Sequence, residues 1–322
     1  MQPTLVATAH AVFPKPLTPT IYFVGVTTGH SSIMRVFPAW ANHFGFSASI
    51  VGIDCDLDAD PTVYRRIVSF IAAEDQAVGA IVTAHKVGLL DACQDMFTDL
   101  DSHAALLREV SAITKRGDQL VGHAFDAATS GRALNAAIGE CYWRDTDAEV
   151  LCLGAGGAGT AVVAHLLQRD AEDRPLHIRV SDRDPARLEA ASRIHHRVSH
   201  EAPVTFHLVR DASESDHLVN GLRTASLVIN ATGLGKDAQG SPLTATAHFP
   251  EHGVVWDLNY RGDLLFLTQA REQQASRDLR IEDGWAYFVH GWVHGISLVL
   301  GVDLPHEGPE FEQLSAVAER SR

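Results

Sequence analysis

The sequence predicts an α/β protein of two domains. The first is an N-terminal α/β domain with a mostly parallel sheet, and the second a Rossmann-like NAD(P)-binding domain. Two observations carry this. From residue 21 onward, apolar segments of strand length alternate with segments of helical length. In addition, Val150-Leu151-Cys152-Leu153-Gly154-Ala155-Gly156-Gly157-Ala158-Gly159 sets a glycine-rich turn between an apolar strand and a helical stretch, Thr160 to Leu167. At 322 residues the chain is long enough for two hydrophobic cores.

The elements follow in order. Residues 1–20 carry four prolines and read as an irregular lead-in. Strands are expected at 21–26, 47–53 and 79–83, with helices around 33–44 and 61–75 between them. A helical stretch runs from Asp101 to Val110. Leu120 to Asp126 is extended, and one long helix is expected over 127–143. Strands follow near 150, 178, 204, 227 and 254. The apolar segment Ala286 to Leu300 reads as a helix that returns to the first domain. This makes residues 1–126 with 285–322 the expected substrate-binding and catalytic domain, and 127–284 the dinucleotide-binding domain.

The glycine turn carries the first chemistry. Gly154 permits a tight turn, Gly156 lets backbone approach a pyrophosphate, and Gly159 lets helix and strand pack closely. Ala155, Gly157 and Ala158 complete the loop, and the helix N-terminus offers N–H groups to the anion. Asp182, at the end of the next apolar segment, can accept hydrogen bonds from an adenosine ribose and would repel a 2′-phosphate. NAD is therefore the expected cofactor and NADP the less favoured one. Arg183 keeps a phosphate contact or adenine stacking open.

Several further segments resemble shikimate and quinate dehydrogenases. Gly79 to Lys86 resembles their strand-and-lysine motif, and Leu120 to Asp126 their aspartate motif. Val228 to Gly235 is similar to their nicotinamide-side loop, Val255 to Tyr260 to the strand and tyrosine that follow, and Asp283-Gly284 to the opening of the last helix. The resemblance covers most of residues 21–304, in the family's order. It implies NAD(P)-dependent interconversion of a secondary alcohol and a ketone in a cleft between the domains. Lys86 would exchange the hydroxyl proton and Asp126 would orient it. It also implies substrate contacts from Ser31 and Tyr260, and Thr83, Thr114, His290 and His294 complete the candidate substrate-binding set. Cofactor contacts would come from Asn230, Ala231, Thr232, Leu258 and Gly284.

The departures from the family are as informative. Its second pocket serine is Ile33, and three asparagines are Ile81, Thr114 and Ala124. A glutamine of the last helix is Gly291, and one residue is deleted before His85. Losing partners for buried polar atoms costs about 1–3 kcal/mol per group, so shikimate is expected to be a poor substrate. A quinate- or shikimate-like cyclic hydroxy acid, or a related cyclitol or sugar acid, is the expected substrate. His30, His85, His123, His290 and His294 are new polar candidates, and His290 and His294 stand four apart on one expected helix. They lack the acid or thiol that would complete a recognisable metal site, so no metal is expected. Trp285 and Trp292 read as packing residues. Two other readings stay open: a ligand-sensing protein of this fold without turnover, and a reductase of a C=N or other carbonyl-like group.

A net charge of −14 argues against a nucleic-acid partner. Hydrophobic residues at 46% and charged residues at 20% fit an ordinary globular protein. Scattered Cys55, Cys93, Cys141 and Cys152 fit reduced thiols. Met1-Gln2-Pro3-Thr4 lacks a basic-then-apolar leader, and no apolar run has spanning length. A cytoplasmic protein with a small-molecule substrate and no membrane partner is expected, and a homodimer is allowed.

Overall fold

The computed structural model describes residues 3–57, 59–199, 203–236 and 238–322. The chain opens with β1 (Thr4–Val6), β2 (Thr20–Gly25), α1 (Ile33–Phe44), β3 (Ser49–Asp54), α2 (Pro61–Ala73) and β4 (Ala77–Val82). It continues through α3 (Lys86–Cys93), β5 (Asp99–Leu100), α4 (Ser102–Leu107), β6 (Ala112–Arg116) and β7 (Gln119–His123). Next come α5 (Asp126–Ile138), α6 (Tyr142–Thr146), β8 (Val150–Leu153), α7 (Gly157–Gln168), β9 (Ile178–Asp182), α8 (Pro185–Val198), β10 (Val204–Leu208) and α9 (Ala212–Asn220). The last elements are β11 (Leu227–Asn230), β12 (Val254–Asp257), α10 (Leu265–Arg277), β13 (Arg280–Glu282), α11 (Trp285–Leu300) and α12 (Gly308–Glu319).

Two compact units result: Met1–Phe125 with Gly291–Arg322, and Asp126–His290. The second division falls inside α11. Among the described residues, the first unit holds a seven-stranded sheet of order β1-β3-β2-β4-β6-β7-β5. Its strands β1, β3, β2 and β4 are parallel, while β6 runs antiparallel to both β4 and β7. On one face Tyr22, Tyr64, Ile67, Ile71 and Leu89 form a core with α2 and α3. On this unit's part of α11, Trp292 packs edge-on to Phe23 with ring centroids 4.9 Å apart. A Cβ at Gly295 would come within 2.9 Å of Ile81. The Trp40 indole N–H donates to the Leu314 carbonyl at 2.9 Å, tying α1 to α12.

Among the described residues, the second unit holds a six-stranded parallel sheet of order β10-β9-β8-β11-β12-β13. This order runs outward from β8 in both directions, so the strand order reverses beside β8 and β11. The crevice beyond the strand ends at that switch point is where parallel α/β sheets bind ligands. The central strands β8, β11 and β12 are buried at every position, as a sheet covered on both faces requires.

Three expectations need correction. The lead-in is not wholly irregular, because β1 pairs in register with β3, Thr4 opposite Gly52. The expected helix 127–143 is two helices. Gly139 takes φ 82° and Cys141 φ 63°, so the chain leaves the helical region between Ile138 and Tyr142. The stretch from Asp101 to Val110 is helical only over Ser102–Leu107: Asp101 caps it by accepting from the Ala104 N–H at 2.7 Å, and Arg108 ends it at φ 57°.

Candidate active site

In the second unit β8 ends at Leu153, and Gly154 turns the chain at φ 110°. A Cβ there would lie 2.7 Å from the Ala231 carbonyl carbon. Gly156 is the N-cap of α7, and a Cβ on it would meet nothing within 4 Å. A Cβ on Gly159 would come within 2.1 Å of the Gly154 carbonyl oxygen. The three glycines therefore do different jobs: Gly154 and Gly159 close the loop onto protein, and Gly156 keeps backbone bare beside open space. Gly157, Ala158 and Gly159 form the first turn of α7. That is the geometry of an anion site at a helix N-terminus.

The Asp182 carboxylate accepts from the Ala155 N–H at 2.8 Å and from the Asp184 N–H at 2.9 Å. A groove of about 330 Å³ runs past Gly154, Gly156, Asp182, Arg183, Ala231 and Thr232. Arg187 and Arg210 also line it. Sequence reasoning missed both. The available signal was their placement, Arg187 in the first turn of α8 and Arg210 two residues after β10. A bare Gly156, a helix N-terminus and a carboxylate at the strand end fit a nicotinamide dinucleotide.

Beside this groove a hydrogen-bonded network fixes the loop after β11. Asn230 is fully buried. Its side-chain oxygen accepts from the Thr232 N–H at 3.1 Å and hydroxyl at 2.7 Å, and its amide donates to Asp257 at 3.1 Å. Asp257 also accepts from the Asn259 N–H at 2.9 Å. Burial of Asp257 raises its pKa to about 6, against the lowering effect of those donors. The Leu258 N–H donates to the Asn230 carbonyl at 3.0 Å, and Gly284 is needed because a Cβ would lie 2.1 Å from the Leu258 carbonyl oxygen. Tyr260 packs on Trp285 and Phe288 with ring centroids 5.3 and 4.7 Å away.

Asp126 opens α5 at 5% exposure. The Tyr287 hydroxyl donates to its Oδ2 at 2.9 Å. Sequence reasoning did not single out Tyr287, because nothing in its local pattern distinguishes it from the packing aromatics around it. His290 is buried in this unit, whereas His294, in the other unit, lies between Phe125 and His306, with ring centroids 5.2 Å from each.

In the first unit Lys86 is the first residue of α3 and half-buried. His85, its N-cap, is buried, with Nδ1 3.0 Å from the Tyr64 hydroxyl, and burial pushes its pKa down. Ser31 and Ser32 are buried. Thr83 is exposed, and its hydroxyl donates to the Val24 carbonyl at 3.3 Å. Ile33, Ile81 and Ala124 are buried apolar positions, while a Cβ on Gly291 would meet nothing within 4 Å. Thr114 is 5% exposed and stands at the end of a chain. Its hydroxyl lies 2.9 Å from His123 Nε2, and His123 Nδ1 lies 3.2 Å from Asp101 Oδ2. Among the described residues no group of three His, Cys, Asp or Glu side chains could hold a metal.

The family model described as the saccharopine dehydrogenase NADP binding domain matches residues 150–239, from β8 through the loop after β11. A curated shikimate dehydrogenase (NADP(+)) from Streptococcus gordonii is 27% identical over 210 residues, which are 65% of this chain and 68% of that protein. In sequence the chain is similar to shikimate dehydrogenases. Solved structures extend the likeness of fold. Quinate dehydrogenase from Corynebacterium glutamicum, in complex with NAD, superposes with a TM-score of 0.70 at 18% identity, over 94% of this chain and 99% of that one. The 5-ketofructose reductase of Gluconobacter sp. strain CHM43 gives 0.66 at 20% identity, over 96% and 99%. No helix of the described residues is long and apolar enough to cross a membrane.

Proposed function

We propose that this protein interconverts a secondary alcohol and a ketone on a small polar cyclic hydroxy acid of the quinate or shikimate kind, or on a related cyclitol or sugar acid. The partner in the reaction is a nicotinamide dinucleotide, NAD in preference to NADP. The observation that carries the reading is the groove that passes the bare backbone of Gly156 and runs to the carboxylate of Asp182. When bound, the nicotinamide accepts or returns the hydride.

The chain's own residues do the rest. Lys86 takes the hydroxyl proton during oxidation and returns it during reduction, and Asp126 orients the exchange. Their assignment is supported by their positions at the first residues of α3 and α5, in segments similar to the family's lysine and aspartate motifs. The NAD preference rests on Asp182, since a 2′-phosphate would meet a carboxylate already fixed by two N–H donors. Arg183, Arg187 and Arg210 are the opposing cations, and the NADP(+) in the name of the S. gordonii relative weighs on their side. The wider substrate class is supported by Ile33, Ile81, Ala124 and Gly291, which cannot read hydroxyls with their side chains. It is also supported by the ketofructose reductase among the structural neighbours.

The test is a panel of quinate, shikimate, an inositol and gluconate, each with NAD and with NADP, followed by absorbance of the reduced cofactor. We expect a panel member other than shikimate to be the best substrate. A shikimate kcat/KM of about 10⁴ M⁻¹s⁻¹ or more would overturn the altered-pocket reading. On the best substrate, Lys86→Ala should lower kcat by about 10²-fold or more. Turnover by that variant at the wild-type rate would remove the relay.

A further inference from the structure

We propose that Tyr287 is a positioning residue for the proton relay: its hydroxyl holds the Asp126 carboxylate in its working orientation. The inference rests on the reading of Asp126 as a relay residue. Tyr287 is the third residue of α11, and its hydroxyl donates to Asp126 Oδ2 at 2.9 Å. An O–H donor on an ionised carboxylate makes one of the stronger side-chain hydrogen bonds. At 5% exposure Asp126 has little water to supply a substitute.

The donor is also rigidly mounted. The Trp256 ring meets the Tyr287 ring at 75° with centroids 6.2 Å apart. The Trp256 N–H donates to the Asp283 carbonyl at 3.3 Å, and Asp283 in turn accepts from the Trp285 N–H at 2.9 Å, capping the turn that opens α11. The phenol is thus aimed at Asp126 by the end of β12 and the start of α11 together. A carboxylate on a short side chain can rotate about two bonds, and fixing it removes orientations in which it does no work.

Tyr287→Phe keeps the ring against Trp256 and deletes only the donor. On the fastest member of the substrate panel it should lower kcat about tenfold, with KM and NAD affinity within about twofold of wild type. Asp126→Asn should lower kcat further, and the double variant should be no slower than Asp126→Asn alone, because the two act as a unit. Melting temperature and NAD titration of each variant separate positioning from folding. Wild-type kcat for Tyr287→Phe, a loss that multiplies with that of Asp126→Asn, or a kcat loss matched by a melting shift of several degrees would each overturn the proposal. Unchanged turnover by Asp126→Asn, or no turnover of any panel member by the wild type, would show instead that the underlying relay reading fails, and this proposal with it.

Discussion

The two units use opposite means to build a site. In Asp126–His290 the groove is backbone at the glycine turn, with a left-handed Gly154, a bare Gly156 and a helix N-terminus, while Asp182, Arg183, Arg187 and Arg210 also line it. In the unit of Met1–Phe125 and Gly291–Arg322 the polar candidates are side chains: Thr114 and His123 on β6 and β7, Lys86 on α3, and Ser31 just before α1. Several positions that the family resemblance assigns to hydroxyl readers hold Ile33, Ile81 and Ala124 instead. A backbone site tolerates divergence around it as long as its glycines stay. A side-chain site changes specificity with each substitution.

That contrast can be broken at its strongest point first. A Cβ on Gly159 meets the Gly154 carbonyl at 2.1 Å, whereas one on Gly156 meets only open space. Gly159→Val should therefore unfold the loop and cut dinucleotide affinity by about 10²-fold or more, whereas Gly156→Ala should keep the melting temperature and still weaken binding. Titration calorimetry and thermal melts on both variants decide it. A Gly159→Val protein that binds and melts like wild type would mean that the loop is not the tight element described.

A second test lies in the pH dependence of the dinucleotide-groove unit. Burial lowers the pKa of His165 and of His195 to about 4, and both lie in the dinucleotide-groove unit. Folded values below the ordinary 6.5 mean that their neutral forms are preferred, so this stability is present above pH 6.5 and lost as pH falls toward 4, about 3 kcal/mol for each. Asp257, raised to about 6, works the other way: its contribution is present below pH 3.8 and is lost as pH rises through 6. For these three groups together the net is a loss on the order of 3 kcal/mol on acidification from pH 7 to 4. Urea unfolding across that window should show it, and His195→Leu should flatten the slope. An unchanged slope in that variant would remove His195 from the account.

The side-chain unit is probed by Thr114. If the Asp101 carboxylate holds the proton on His123 Nδ1, then Nε2 accepts the Thr114 hydroxyl proton, which leaves the Thr114 oxygen as an acceptor toward a substrate hydroxyl. Thr114→Val should then lower kcat/KM about 10- to 50-fold on the best panel substrate and leave NAD affinity unchanged. Steady-state kinetics with an NAD titration check it, and equal loss on all panel members would argue for misfolding rather than recognition. The smallest effect is at Asp182. Asp182→Asn should shift the ratio of NAD to NADP affinity about tenfold toward NADP, since Arg183, Arg187 and Arg210 are already at the groove. A ratio unmoved by that change would transfer the choice to the arginines.

The strands at 150, 178, 204, 227 and 254 were readable because central strands of a parallel sheet are continuous apolar runs, and β8, β11 and β12 are buried throughout. The glycine turn was readable because each glycine meets a local steric demand. Thr114 and Asp182 could be nominated from motif position. The chain linking Thr114 to Asp101 through His123 could not, because its members come from β6, β7 and the cap of α4. Helix ends were less well read, and the break after Ile138 turns on φ values that Gly139 and Cys141 adopt in context.

By itself, the sequence determined the α/β class, the glycine loop and the acid at the end of β9, because these follow from local periodicity and from which residues tolerate a given φ or a close backbone approach. Tertiary structure alone decided that Arg187 and Arg210 share the groove with Asp182, that β6 inserts antiparallel between β4 and β7, and that Tyr287 reaches Asp126 across 161 positions of sequence. Those meetings depend on how strands order and helices pack, and side-chain chemistry along the chain carries no record of a partner brought near only by folding.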